Sequence, residues 1–269
     1  MKWMAWAGLA LFATIAVCTC ACRSWFYPPA VEMQEAHAAG DGDTVFDHSA
    51  LDAILGACVD AGGRVDYPAV AARGTELDGY LARLGAAEFD ALGRDEKLAF
   101  LLDAYNAFTL KLIVEHWPVD SIRDIPEPER WKAVRWNLLG RRLSLDELEH
   151  EVIRRQFAEP RIHFALVCAA VSCPPLRREA YVGARLAEQL ADQARIVHTN
   201  PKWFAFDRAR GVLSLTRLYD WFRGDFEQAA GSVLAFAARW SEPLAQALAA
   251  GESPSIEWID YDWSLNAQR

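Results

Sequence analysis

The chain has 269 residues, 52% hydrophobic and 24% charged, a balance that excludes both a disordered chain and a multi-span membrane protein. Its 37 acidic and 28 basic residues give a formal net charge of -9. The basic residues are interspersed with acids and the pair Arg141 and Arg142 stands isolated, so no nucleic acid is expected as a partner.

Met1 and Lys2 precede an uncharged run from Trp3 to Cys22, which Arg23 ends before Trp25, Phe26 and Tyr27. The run is long enough to span a bilayer as a helix and also has the shape of an export signal. Residues 1–22 are therefore read as a signal peptide or membrane anchor. Two outcomes fit: cleavage before Cys22 with lipidation of that cysteine, which is preferred, or an uncleaved helix with aromatic residues at the interface. Either outcome tethers the chain to the membrane through its N-terminus, facing the periplasm. Residues 23–45 have the composition of a flexible linker, rich in Ala, Gly, Pro and acids without apolar periodicity. The remainder, 46–266, reads as one globular domain with no internal repeat.

In chain order, Leu51, Ile54, Leu55 and Cys58 have helical spacing, stopped by Gly62 and Gly63. RVDY (64–67) is a short strand candidate. Leu77, Tyr80, Leu81 and Leu84 mark a helix over 74–84. Residues 94–116 form the strongest helix, apolar over nearly its whole circumference and hence central; Trp117-Pro118 ends it. The stretch 118–140 reads as irregular. Ser144 and Glu147 have capping-box spacing at the start of a helix running through Phe157. IHFALVC (162–168) is a short buried segment, strand or helix. A helix over 183–198, a hairpin of WFAFD and VLSL, two further helical stretches and a terminal strand or extended tail, SIEWIDYDW, complete the reading. The class is α+β, helix-dominated, with a few short strands.

Three segments place reactive side chains in apolar settings. Asp103, Tyr105 and Asn106 lie on the central helix, where Asp and Asn compete for the backbone and need buried partners or a cavity. Glu149 and His150 follow the capped start at Ser144. His163, Cys168, Ser172 and Cys173 lie in HFALVCAAVSCPPL, an apolar run that delivers a cysteine into a small-residue turn. A thiol there becomes nucleophilic if a neighbouring base or cation lowers its pKa. His150 or His163 is the candidate base, Asn106 or Glu149 the orienting group. Against this, Cys168 and Cys173 could pair as a disulfide, or Cys168 could simply pack in the core. Beyond the head only Cys58, Cys168 and Cys173 remain, an odd number. Neither zinc-type spacing nor a phosphate or dinucleotide loop is present, so no metal and no cofactor is expected.

Taken together, VDY, EKLAFLLDAYNAFTLKL, WPVDSI, LSLDELEHEVIRR, RIHFALVCAAVSCPPL, LYDWFRGDF and YDWSLN occur in the order of the family called domain of unknown function 547. The chain resembles that family from Phe46 to Asn266. The resemblance implies a site centred on Asn106, Glu149, His150 and the stretch Cys168, Ser172 and Pro174, and points to His150 rather than His163. It implies an exported, lipoprotein-like protein and no settled reaction.

Three readings follow. The leading one is an envelope module that binds a small molecule or another envelope protein in a buried Asn/Glu/His/Cys cleft, with Asp103, Tyr105 and His163 among its binding residues. The alternative is a thiol-dependent hydrolase or acyl transferase, with Cys168 as nucleophile, His150 as base, Glu149 or Asn106 orienting it and Ser172 supporting the oxyanion. The third is a redox protein using Cys168 and Cys173.

Overall fold

The computed structural model describes residues 27–36 and 42–268. Residues 1–22, expected above to be a signal peptide or anchor and including Cys22, and parts of the expected linker lie outside the described residues. Among the described residues no helix is long and apolar enough to cross a membrane.

The first helices are α1 (Ser49–Cys58), α2 (Tyr67–Ala72) and α3 (Gly74–Gly85), followed by α4 (Arg94–Glu115). Leu51, Ile54, Leu55 and Cys58 form the buried stripe of α1. Between α1 and α2 the expected RVDY strand shrinks to one residue: Val65 bridges Val59 and Ala267, and Asp66 then caps α2 by accepting from the Ala69 amide at 2.9 Å. A cap of that kind ends extended structure, because the chain must turn into the helix.

Helix α4 is buried on every side from Glu96 to Leu110, and α2 and α3 pack against it. Its apolar circumference is the sequence-level cause of that position: exposing any face would cost hydrophobic free energy. The Trp117-Pro118 peptide, which is cis, follows it. Part of the stretch expected to be irregular then forms a hairpin of β1 (Trp136–Leu138) and β2 (Arg141–Leu143), paired antiparallel.

Helix α5 has three consecutive pieces: Leu145–Glu147, a π-helical stretch Leu148–Ile153, and Arg154–Gln156. The Ser144 capping box is complete, with the Glu147 amide donating to Ser144 Oγ (3.0 Å) and the Ser144 amide donating to Glu147 (2.8 Å). The π stretch changes the helical register, and Glu149, His150 and Arg154 lie on or just after it. Residues 162–168 are neither strand nor α-helix: a 3-10 turn, Pro160–Phe164, passes into irregular chain.

Helix α6 (Leu186–Thr199) leads to β3 (Phe204–Asp207) and β4 (Val212–Leu215), the expected antiparallel hairpin. Helices α7 (Leu218–Trp221), α8 (Arg223–Ala230), α9 (Val233–Ala238) and α10 (Glu242–Ala249) follow. The last strand, β5 (Ser255–Trp258), adds to β4 in parallel. One apolar cluster surrounds α4, and a second gathers Phe204, Leu213, Tyr219, Phe226 and Phe236. They meet at the 3-10 turn, where Ile162 belongs to the first and Phe164 to the second. The result is an α+β, helix-dominated compact fold.

Candidate functional site

Asn106 and Asp103 point from α4 at two different loops. Asn106 Nδ2 donates to the Ala165 carbonyl (3.1 Å) and its Oδ1 accepts from the Val167 amide (3.0 Å). The side-chain amide thus stands in for a neighbouring strand and holds the chain that enters the Cys168 turn. Asp103 accepts from the Tyr181 amide at 3.1 Å and lies 2.9 Å from His48 Nδ1. That nitrogen also meets the Tyr80 hydroxyl at 2.7 Å, so the buried imidazole edge is shared between two oxygens. Burial raises the Asp103 pKa, against the lowering influence of His48.

After Cys168 the backbone turns sharply: Ala169 has φ 62°. A left-handed conformation is uncommon for a residue with a Cβ and persists where surrounding contacts impose it. Those contacts come from the C-terminal tail. Asn266 donates its amide to the Ala169 carbonyl (2.9 Å), Val171 donates to Ser264 (2.7 Å), and Ser172 donates to Asp262 (3.1 Å). Ser172 Oγ in turn accepts from the Asp262 amide at 2.8 Å. Ser172 therefore ties the tail to the turn.

The turn brings Cys173 back under Cys168. Their sulfurs are unbonded and 2.9 Å apart, and the Tyr261 hydroxyl lies 3.5 Å from Cys168 Sγ and 3.2 Å from Cys173 Sγ. Cys168 is partly exposed and Cys173 is buried. Burial alone would raise the Cys173 thiol. Hydrogen bonding from Cys168, Tyr261 and nearby backbone more than offsets it and brings the pKa down to about 7. The same contact, seen from Cys168, raises its pKa, with burial adding to the rise. Loss of one proton from the pair leaves a thiolate that the neighbouring thiol bonds, and removing the second would place two negative charges side by side.

His150 lies elsewhere. Its Nδ1 accepts from Arg154 (3.2 Å), and its Nε2 is 3.7 Å from Asp146. Burial first, then the Arg154 charge, lowers its pKa to about 4. Arg154 is itself buried and forks onto Asp225 with two bonds, 2.7 and 2.8 Å. His163 Nε2 meets the same carboxylate at 2.8 Å, and its ring stacks on Phe222 with centroids 3.8 Å apart. Burial opposes the charge on Asp225, but Arg154 and His163 hold its pKa at about 2. Glu149 sits between the two groups: burial raises its pKa, while His163, Arg154 and the Tyr105 hydroxyl lower it. Its charge is also felt at Cys168.

The predicted residues therefore separate into a thiol pair, Cys168 and Cys173, with Ser172 and Asn106 shaping its turn, and an ionic network around His150, Glu149 and His163. Neither thiol hydrogen-bonds an imidazole. A cavity of about 10 Å³ beside Asn106, Ala169 and Asn266 has room for about one water. Sequence reasoning assigned no role to Tyr261, Arg154 or Asp225. Arg154 follows His150 by one helical turn, and Asp225 and Tyr261 stand in the FRGDF and YDW motifs; only their partners reveal what they hold.

Residues 89–196 match the model of a family described as protein of unknown function, DUF547. That stretch runs from before α4 into α6 and includes Asn106, Glu149, His150 and both thiols, while Asp225 and Tyr261 lie beyond it. No curated protein and no solved structure matches the chain.

Proposed function

Given a DUF547 chain, we propose that it is a dithiol–disulfide exchange protein held at the membrane by its N-terminus and acting on the periplasmic side. The observation that carries this reading is the unbonded 2.9 Å contact between a partly exposed and a buried cysteine on a left-handed turn. A partly exposed cysteine backed by a second sulfur in bonding reach is the arrangement that exchange requires.

The step balances without a cofactor. The Cys168 thiol passes its proton to the neighbouring Cys173 thiolate, and the Cys168 thiolate so formed attacks one sulfur of a partner disulfide. That S–S bond breaks and its other sulfur leaves as a thiolate, giving a mixed disulfide on Cys168. Cys173 then gives its proton to that leaving thiolate, attacks Cys168, forms the intramolecular disulfide and expels the second partner sulfur, which takes its proton from water. The partner disulfide gains two electrons and two protons, and the Cys168–Cys173 dithiol loses them. The reverse sequence oxidises a partner dithiol. The acyl-transfer reading has less support, because the side-chain partners of the two sulfurs are each other and Tyr261, and no imidazole bonds them.

Differential alkylation and mass measurement in glutathione buffers test the proposal. The pair should interconvert with one midpoint in the range of exchange proteins, roughly -270 to -120 mV. Cys173→Ser should trap a mixed disulfide on Cys168. A pair that stays reduced in oxidising buffer, or a Cys173→Ser variant that traps nothing, overturns the reading.

A further inference from the structure

A cleft of about 640 Å³ lies between α3 and the β1–β2 hairpin and shares no lining residue with the thiol pair. Its volume is in the range of small-molecule sites. The floor is apolar, with Leu81, Phe108, Trp136 and Leu138, and Phe108 stacks on Trp136 at 4.7 Å between centroids. Three arginines, Arg135, Arg141 and Arg142, also line it, and no carboxylate does. In a chain of net charge -9 that local sign is the reverse of the whole.

The arginines differ. Arg135 is neutralised by Glu115 and lies over the Trp136 ring at 4.6 Å. Arg141 and Arg142 are exposed and meet no acidic side chain among the described residues, whereas Arg73, Arg94, Arg154, Arg177 and Arg208 are each in an ion pair. Arg141 and Arg142 line the cleft and open β2 directly after a two-residue turn, Leu139 and Gly140, both with positive φ (54° and 69°). Such a turn matches the twist of the strands, but leucine is a costly choice for it.

We propose that this cleft binds a small organic anion, a phosphate or carboxylate head on an apolar body, with Arg141 and Arg142 on the head and the Leu81, Phe108 and Trp136 floor under the body. A guanidinium fork suits either head group. A free amphiphile and an acidic lipid at the membrane present the same chemistry.

Octyl phosphate is the probe, titrated calorimetrically into the full chain held in phosphatidylcholine nanodiscs, with empty discs subtracted. Saturable one-to-one binding is expected, weakened about tenfold or more by Arg141→Ala with Arg142→Ala, as two charge-assisted contacts are lost. Ala82→Trp, at an exposed position on the cleft wall, should block it by filling the space. Inorganic phosphate, which lacks the apolar body, and octyl glucoside, which lacks the charge, should each bind much more weakly. If phosphatidylglycerol discs compete with octyl phosphate, the lipid is the source; if they do not, a free amphiphile is. Absence of saturable binding, binding indifferent to both variants, or equal affinity for inorganic phosphate overturns the proposal.

Discussion

His150 and His198 are both held at about pKa 4 and His163 is also lowered, in each case chiefly by burial. Their folded-state pKa values lie below the unfolded value near 6.5, so the unfolded chain binds protons first as pH falls. The stability these neutral rings contribute is complete above about pH 6.5 and is lost as pH drops towards 4. Asp103 and Glu149 act in the opposite sense, since burial raises them and the folded state takes up their protons first. A difference measurement separates the two effects. His198 bonds the Ala194 carbonyl and the Tyr219 hydroxyl, both at 2.6 Å, and touches none of the acidic groups. His198→Gln should lower stability at pH 7 yet flatten its fall between pH 6.5 and 4 by up to about 1.4 kcal/mol per pH unit, the weight of one proton. Urea unfolding at several pH values checks this; an unchanged slope would mean the ring is charged inside the fold.

Among the elements, the C-terminal tail holds the turn that carries both thiols, together with Asn106 of α4. Asn266 is the pivot, with its side chain accepting from the Tyr67 hydroxyl (2.7 Å), its amide on Ala169 and its carbonyl on Val65 (both 2.9 Å). Asn266→Ala leaves the buried Tyr67 hydroxyl unsatisfied, at a cost of about 1–3 kcal/mol. The tail should then lift more often from the turn and expose Cys173. Iodoacetamide labelling of Cys173 under native conditions should rise while labelling of the already accessible Cys168 changes little. Equal protection of Cys173 in both proteins would place the control of access elsewhere. At this scale much was legible. The spacings of α1, α3 and α4, the Ser144 box and the β3–β4 hairpin follow from local periodicity and capping. The Val65 strand, the 3-10 turn at Pro160–Phe164 and the β1–β2 hairpin were not, because short segments take whatever geometry their non-local partners impose.

Across the molecule, the two apolar clusters are joined at the 3-10 turn. Phe164 is fully buried, stacked on Phe226 at 5.9 Å and tilted against Tyr219 at 5.8 Å, while its neighbours Ile162 and Ala165 pack in the cluster around α4. The Phe164 carbonyl also accepts from Gln193 on α6 at 2.8 Å. Phe164→Ala should cost about 3–5 kcal/mol. Both clusters should still melt in one transition, because Arg154 on α5 remains bonded to Asp225 on α8. Calorimetry with fluorescence as a second probe would show a split transition if the clusters were energetically separate. The sequence by itself determined the helix-dominated class, the central position of α4 and the segments that carry reactive groups, since periodicity, capping and composition act between near neighbours. Only the tertiary structure decided which groups meet. It put Tyr261 on two sulfurs some ninety residues away, gave His150 to Arg154 instead of to a thiol, and set unpaired arginines over an apolar cleft. Those pairings depend on how distant segments pack, and local spacing carries no information about that.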